Sequence, residues 1–147
     1  MIFDTNVVLD CYGFDDPFGQ QLVEQIKCGR LTLLTRPDLR LELVRVLDYV
    51  HLPFDATKRS QALAAYDAQA QPMTLPGPGW TPARLPVCRD PDDQKFLEAA
   101  RDACADVLLT KDKALLELAR NRARPTSFRI LTPLAFLSSG SAGRADA

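Results

Sequence analysis

The sequence has a single histidine, His51, and its four cysteines (Cys11, Cys28, Cys88 and Cys104) stand far apart with no Cys-x-x-Cys pair. That spacing describes neither a zinc site nor a disulfide scaffold, and reduced thiols in a cytosolic protein are the expectation. An excess of either charge is also missing. With 18 basic and 19 acidic residues the formal net charge is −1, so any polyanion must be met by a local patch rather than by the molecule as a whole. No apolar run approaches membrane-spanning length and no charged-then-apolar signal segment precedes the fold. A cytoplasmic protein without a membrane partner is expected. There is no internal repeat. The 147 residues are enough for one domain with a real core.

What is present begins with Met1-Ile2-Phe3-Asp4-Thr5-Asn6, a minimal apolar strand closed by an acid. Asp4 has two readings. It is a good cap for a short helix from Val7 to about Tyr12, or it is a carboxylate held at a strand end for its chemistry. Asp16 and Pro17 then start a helix that runs to about Cys28, with Gly29 as its stop. Leu31–Leu34 is a short strand, and Thr35 with Asp38 forms a variant capping box for a helix over about Pro37–Tyr49. A further helix spans Asp55–Ala70.

Residues 72–86, with five prolines and two glycines around Trp80, form a long loop. A very short strand is expected at Leu85–Cys88, and a helix from Asp90 to about Cys104. Val107–Thr110 is a strand, Asp112 starts a helix through Arg120, Phe128–Leu131 is the last strand, and Thr132-Pro133 opens a final short helix. Short apolar strands alternating with helices predict an α/β fold with a mainly parallel sheet.

Three more carboxylates fit a plain surface poorly. Glu42 lies three residues after Leu39 and four before Val46, on the apolar stripe of its helix, where a pair with Arg45 is the bland alternative. Asp93 lies three before Phe96 and four before Leu97, where the bland alternative is a first-turn acid favoured by the helix dipole. Asp92 is one step round that helix, and Asp90 is explained by capping. Asp112 follows the strand Val107–Thr110 as Asp4 follows the first strand, and its bland alternative is a good helix cap. Parallel strands end on one edge of a sheet, where ligands of such folds bind, so Asp4 and Asp112 should be neighbours with Thr110 near enough to orient a carboxylate.

Acids gathered at one edge repel unless a cation sits among them. Oxygen ligands without His or Cys suit a hard ion, Mg²⁺ or Mn²⁺, and the matching chemistry is metal-assisted phosphodiester hydrolysis.

Asp4-Thr5-Asn6-Val7, Leu41-Glu42-Leu43, the stretch Asp90-Pro91-Asp92-Asp93-Gln94-Lys95-Phe96-Leu97 and Thr110-Lys111-Asp112, in that order, resemble the PIN domain. The nearest likeness is to the bacterial group of toxin components of toxin–antitoxin systems, the VapC-like ribonucleases. The ending Ile130-Leu131-Thr132-Pro133 with Phe136-Leu137 is similar to that group as well, so the likeness covers Met1 to about Leu137.

The resemblance implies a three-layer sandwich of helices around a parallel sheet of four or five strands, as a single domain over 1–137; residues 138–147, small and polar, are expected to form a flexible tail. It implies a Mg²⁺- or Mn²⁺-dependent ribonuclease with Asp4, Glu42, Asp93 and Asp112 as metal-binding and catalytic acids and Asn6 and Thr110 in support. An RNA substrate, a homodimer and a cognate antitoxin are implied partners. Only three residues precede Asp4, fewer than is usual in the family, which implies either a clipped first strand or a start codon assigned late.

Arg36, Arg40, Arg89, Lys95 and Lys111 are the candidate RNA contacts, with solvated surface charge as their alternative. Arg120, Arg122 and Arg124 are read as complementing a helix C-terminus. Trp80 is read as a loop anchor more than a base-stacking platform, and His51 as structural. Two other functions compete. One is a PIN-like interaction or RNA-binding module without useful turnover. The other is a phosphatase using Asp4 as a covalent nucleophile, for which the usual Asp-x-Asp pattern is Asp-x-Asn here.

Overall fold

Ile2 and Phe3 point to opposite faces of a sheet, and the same alternation in Val107, Leu108 and Leu109 divides the protein into layers. The computed structural model describes residues 1–142. Among them are five strands: β1 (Ile2–Phe3), β2 (Leu34–Thr35), β3 (Gln71–Pro72), β4 (Val107–Leu109) and β5 (Arg129–Leu131). Seven helices accompany them: α1 (Thr5–Tyr12), α2 (Pro17–Lys27), α3 (Pro37–Leu47), α4 (Ala56–Gln69), α5 (Gln94–Asp102), α6 (Lys113–Leu118) and α7 (Pro133–Ala142). All strand pairings are parallel, in the order β1-β4-β5 and in a separate β2-β3 pair. Leu34 N–H donates to Met1 O at 2.9 Å and links the two.

The shortness of β1 does not leave it loose. It is hydrogen-bonded on both sides, to Leu34 through Met1 O and to Leu109 O through Asp4 N–H (2.9 Å). The N-terminal ammonium adds a bond to Thr32 O at 2.8 Å.

One core, on the Phe3, Val107 and Leu109 face, takes α1, α2 and α4 through Val7, Val8, Leu22, Ala62 and Tyr66, with Phe136 and Leu137 of α7 against its margin. The other, on the Ile2 and Leu108 face, takes Phe96, Leu97 and Ala100 of α5 and Leu115 of α6. Helix α3 serves both: Leu39 packs into the second core, Leu43 and Leu47 into the first. The result is an α/β sandwich with a parallel sheet between helical layers. Each large side chain buried in this way contributes about 2 kcal/mol.

At the crossing of α1 and α2 only glycine fits. A Cβ on Gly19 would stand 2.6 Å from Asp10 O, so this contact holds α1, and Asp4 before it, against the layer behind.

Local starts mostly follow the sequence. Asp16 accepts from Phe18 and Gly19 N–H, and Asp55 from Lys58 N–H, as capping requires. The expected capping box at Thr35 does not form. Pro37 takes the first helical position, which makes Arg36 the cap. Thr35 stays in β2 with its hydroxyl accepting from Tyr66 Oη at 2.6 Å, and Asp38 turns to Arg36 (2.8 Å).

Strand β3 was not expected; it pairs Gln71 and Pro72 with β2. No strand forms at Leu85–Cys88. There a side chain replaces the ladder: Gln94 Oε1 accepts from Cys88 N–H (2.7 Å) and Gln94 Nε2 donates to Pro86 O (3.1 Å). The helix expected from Asp90 opens as a 3-10 turn over Pro91–Asp93 before α5 begins.

The last helix continues past Leu137 through Ala142, with the Ser139 hydroxyl donating to Phe136 O at 2.8 Å; residues 143–147 of the expected tail lie outside the described residues. Among the described residues the four cysteines are free, and no helix is long and apolar enough to cross a membrane.

Candidate functional site

Two strands, β1 and β4, end on one edge of the sheet and bring their polar residues together. Asp4 ends β1 and stands at the cap position of α1, yet its side chain makes no capping bond. It is 4% exposed, and its Oδ2 accepts from the hydroxyl of fully buried Thr110, just beyond β4, at 2.7 Å. The same hydroxyl oxygen accepts Asp112 N–H at 2.9 Å. Thr110 thus ties the two strand-end acids into one chain of bonds. Asp112 does cap its helix: Oδ1 accepts from Ala114 N–H (2.8 Å) and Leu115 N–H (3.3 Å). Capping and site readings exclude one another for Asp4 and coexist for Asp112.

Glu42 arrives from the side on α3. Its Oε2 accepts from the Thr5 hydroxyl, and its Oε1 lies 2.6 Å from Lys95 Nζ. Both oxygens are engaged, but not by Arg45, the partner its own helix offered. Lys95 reaches it from the first turn of α5, where Asp93 sits half-buried at the cap position and Asp92 is exposed. The 3-10 turn over Pro91–Asp93 separates the two aspartates in this way.

The charges register this proximity. Burial pushes the Asp4 carboxyl above its ordinary value; Thr110 opposes the rise, and Glu42 and Asp112 add to it. Asp93 is pushed up to about 7, first by burial and then by Asp4, Asp112, Asp90 and Glu42 in turn. Asp4 and Asp93 therefore lie close enough to the other two expected acids, Glu42 and Asp112, for their own ionisation to be opposed. Mutual repulsion of this kind is relieved by a hard cation, and the all-oxygen donor set suits one. The geometry is not that of a preformed cage: among the described residues no group of three or more His, Cys, Asp or Glu side chains is gathered to hold a metal ion. Glu42 is engaged by Lys95 and Thr5, and Asp112 by the α6 amides.

Raised carboxyl pKa values set a sign for pH. Between the ordinary value of 3.8 and about 7 the folded protein keeps the Asp93 proton that the unfolded chain has lost. Its contribution to stability therefore declines as pH rises through that window. In EDTA, thermal melts should show stability falling from about pH 5 to about pH 7, and Asp93→Asn should flatten that slope. An unchanged slope in the variant would contradict the assignment.

Asn6 is exposed and shows no side-chain bond to any of the acids. It lines a groove of about 660 Å³ with Arg89, Asp90, Lys111, Asp112 and Lys113. Arg89 and Lys111 thus lie where a phosphate would approach Asp112, although each also touches a carboxylate, Glu117 at 3.5 Å and Asp10 at 2.5 Å. The other expected RNA contacts are used elsewhere. Arg36 is held by Asp38, Asp102 and Glu98, Arg40 by Asp67, and Lys95 by Glu42.

Trp80 lies against Arg101, whose guanidinium is 5.8 Å from the ring and donates to Ala83 O, so it anchors the long loop. His51 is exposed beside the Tyr49 ring. Thr5, Gln94 and Lys113 were missed. Nothing in the local sequence distinguishes Thr5; its burial, at 6% exposure, marks it out.

No curated protein matches the chain. A family model for the PIN domain matches residues 1–114, a span that contains Asp4, Glu42, Asp93, Thr110 and Asp112. PIN domains are generally metal-dependent nucleases. With that match over most of its length and a parallel sheet between helical layers, the chain belongs to the PIN domain family.

Proposed function

We propose that this protein is a Mg²⁺- or Mn²⁺-dependent endoribonuclease and acts as the toxin of a toxin–antitoxin pair in the cytoplasm. The observation that carries the nuclease reading is the buried Asp4 carboxylate, hydrogen-bonded to Thr110 rather than used as a cap, with Glu42, Asp93 and Asp112 around it. A hard divalent ion held by these four acids would supply an activated water and neutralise charge on the phosphate.

The chain's own residues do the rest. Thr110 fixes the rotamer of Asp4 and holds it ionisable against burial. The α6 amides fix Asp112 Oδ1 and leave Oδ2 for a further partner. Arg89, Lys111 and Lys113 line the groove beside Asp112 and draw a phosphate to it. Toxin role, homodimer and antitoxin partner rest on the likeness of the motifs to the bacterial toxin group.

Purified protein should cleave RNA with Mg²⁺ or Mn²⁺ and stop on addition of EDTA. Cleavage that persists in EDTA would overturn the metal-dependent reading.

The interaction-module reading has two observations in its favour: Glu42 is already neutralised by Lys95, and among the described residues no three acids form a ready cage. Calorimetry decides between the two. Absence of Mn²⁺ binding, beside a stable complex with the product of a neighbouring gene, would favour the module.

A further inference from the structure

With a net charge of −1, this protein can meet a long polyanion only where positive charge is left unspent. Arg36, Arg40 and Lys95 are all spent on carboxylates. The segment after α6 is different. From Leu118 to Leu131 there are four arginines, Arg120, Arg122, Arg124 and Arg129, and no acidic residue. None of the four guanidinium groups has an ion pair or side-chain hydrogen bond among the described residues.

The sequence suggested that Arg120, Arg122 and Arg124 serve the C-terminus of α6. They are not needed there: Leu116, Glu117 and Leu118 carbonyls accept from the backbone amides of Ala119, Arg120 and Asn121. The arginines stand on locked loops instead. Asn121 Oδ1 accepts from Ala123 and Arg124 N–H, and the Thr126 hydroxyl donates to Phe128 O.

Arg120, Arg122 and Arg129 line a groove of about 730 Å³ beside β5, with Asn121 and Thr126 on its wall. Helix α6 connects it to the acid site. Lys113 and Ala114 at the start of α6 line the groove beside Asp112, and Leu118 at its end lines the arginine groove. Six residues of helix span about 9 Å, about one to two nucleotides of an extended strand.

We propose that this arginine groove is a second RNA contact, which holds backbone phosphates of a single strand one or two nucleotides from the acids. The identity of the ligand rests on the nuclease reading above. Guanidinium forks without a carboxylate partner are suited to bidentate capture of phosphate oxygens, which positions a strand without reading its sequence. The groove sets where along the strand the acids meet it.

The test is binding of a labelled single-stranded RNA of about 12 nucleotides, by fluorescence anisotropy in EDTA over a range of salt concentrations. The triple variant Arg120→Gln/Arg122→Gln/Arg129→Gln should bind at least about tenfold more weakly at low salt, with the slope of log affinity against log salt reduced by about 2, since each lost phosphate contact on a single strand removes about 0.7. Its melting temperature should not change, because the three side chains are exposed and unpartnered. The control Lys27→Gln/Arg30→Gln/Arg45→Gln removes the same charge elsewhere and should keep most of the slope.

Equal slopes for native protein and triple variant overturn the proposal. So does RNA affinity kept by a variant that has lost binding to polyglutamate, which would assign the groove to an acidic protein segment. The two readings fail separately. A reduced slope in a protein that cleaves no RNA with any metal leaves the groove and removes the nuclease; cleavage with an unmoved slope does the reverse.

Discussion

Asp4→Asn is expected to abolish metal-dependent RNA cleavage and at the same time to raise the melting temperature of the metal-free protein. Both effects have one cause. A carboxylate 4% exposed, whose ionisation is opposed by burial and by Glu42 and Asp112, is a cost to the fold and a resource for binding a cation. Asparagine keeps the acceptor that Thr110 needs and removes the charge. A gain of about 1 kcal/mol in EDTA above pH 7 is the expected size, with a loss of more than about 100-fold in Mn²⁺-dependent cleavage. Melting curves in EDTA and single-turnover cleavage with Mn²⁺ measure the two. A destabilised variant would mean that Asp4 is structural, and undiminished cleavage would remove it from the site.

Lys95→Met is expected to do the opposite to metal affinity. The Lys95 ammonium sits 2.6 Å from Glu42 Oε1, where it meets the charge a divalent ion would otherwise meet. Removing it leaves Glu42 uncompensated near Asp4 and Asp93, so the metal-free protein should lose about 3 kcal/mol. The same change deepens the negative potential, and Mn²⁺ should bind about tenfold more tightly. Tenfold is about 1.4 kcal/mol, well within the ~4 kcal/mol between unit charges at ~4 Å near a protein surface.

The thermal shift on adding Mn²⁺ should therefore be larger in the variant than in the native protein. Equal affinities by calorimetry would show that Lys95 and the ion do not compete. Lys95→Arg, which keeps the charge, should stay close to native in affinity and separates this effect from simple loss of packing.

Much of the architecture can be read from local pattern. The alternation in Val107–Leu109, the cap-and-proline start at Asp16-Pro17 and the spacing of Leu39, Leu43 and Leu47 each depend on a few neighbouring residues, and each appears in place. The readings that failed turn on which partner a group meets, near or far in the chain. Strand β3 exists because Gln71 meets Leu34 across the whole of α3 and α4. The expected strand at Leu85–Cys88 gives way to bonds from Gln94, a side chain on the following helix. Arg36 and Arg40 carry the right charge for RNA but meet Asp38, Asp102 and Asp67 first.

The sequence by itself determined which acids stand at strand ends and on core faces, because a strand alternates every two residues and a helix turns every 3.6. That identified Asp4, Glu42, Asp93 and Asp112 and the order in which the chain presents them. Only the tertiary structure decided what each carboxylate does at rest. It directs Asp4 to Thr110 rather than to its own helix and closes Glu42 on Thr5 and Lys95. Hydrogen bonds and ion pairs are settled by which groups meet within about 3 Å. For residues as distant in the chain as Glu42 and Lys95, the packing of α3 against α5 settles that, and no local pattern records it.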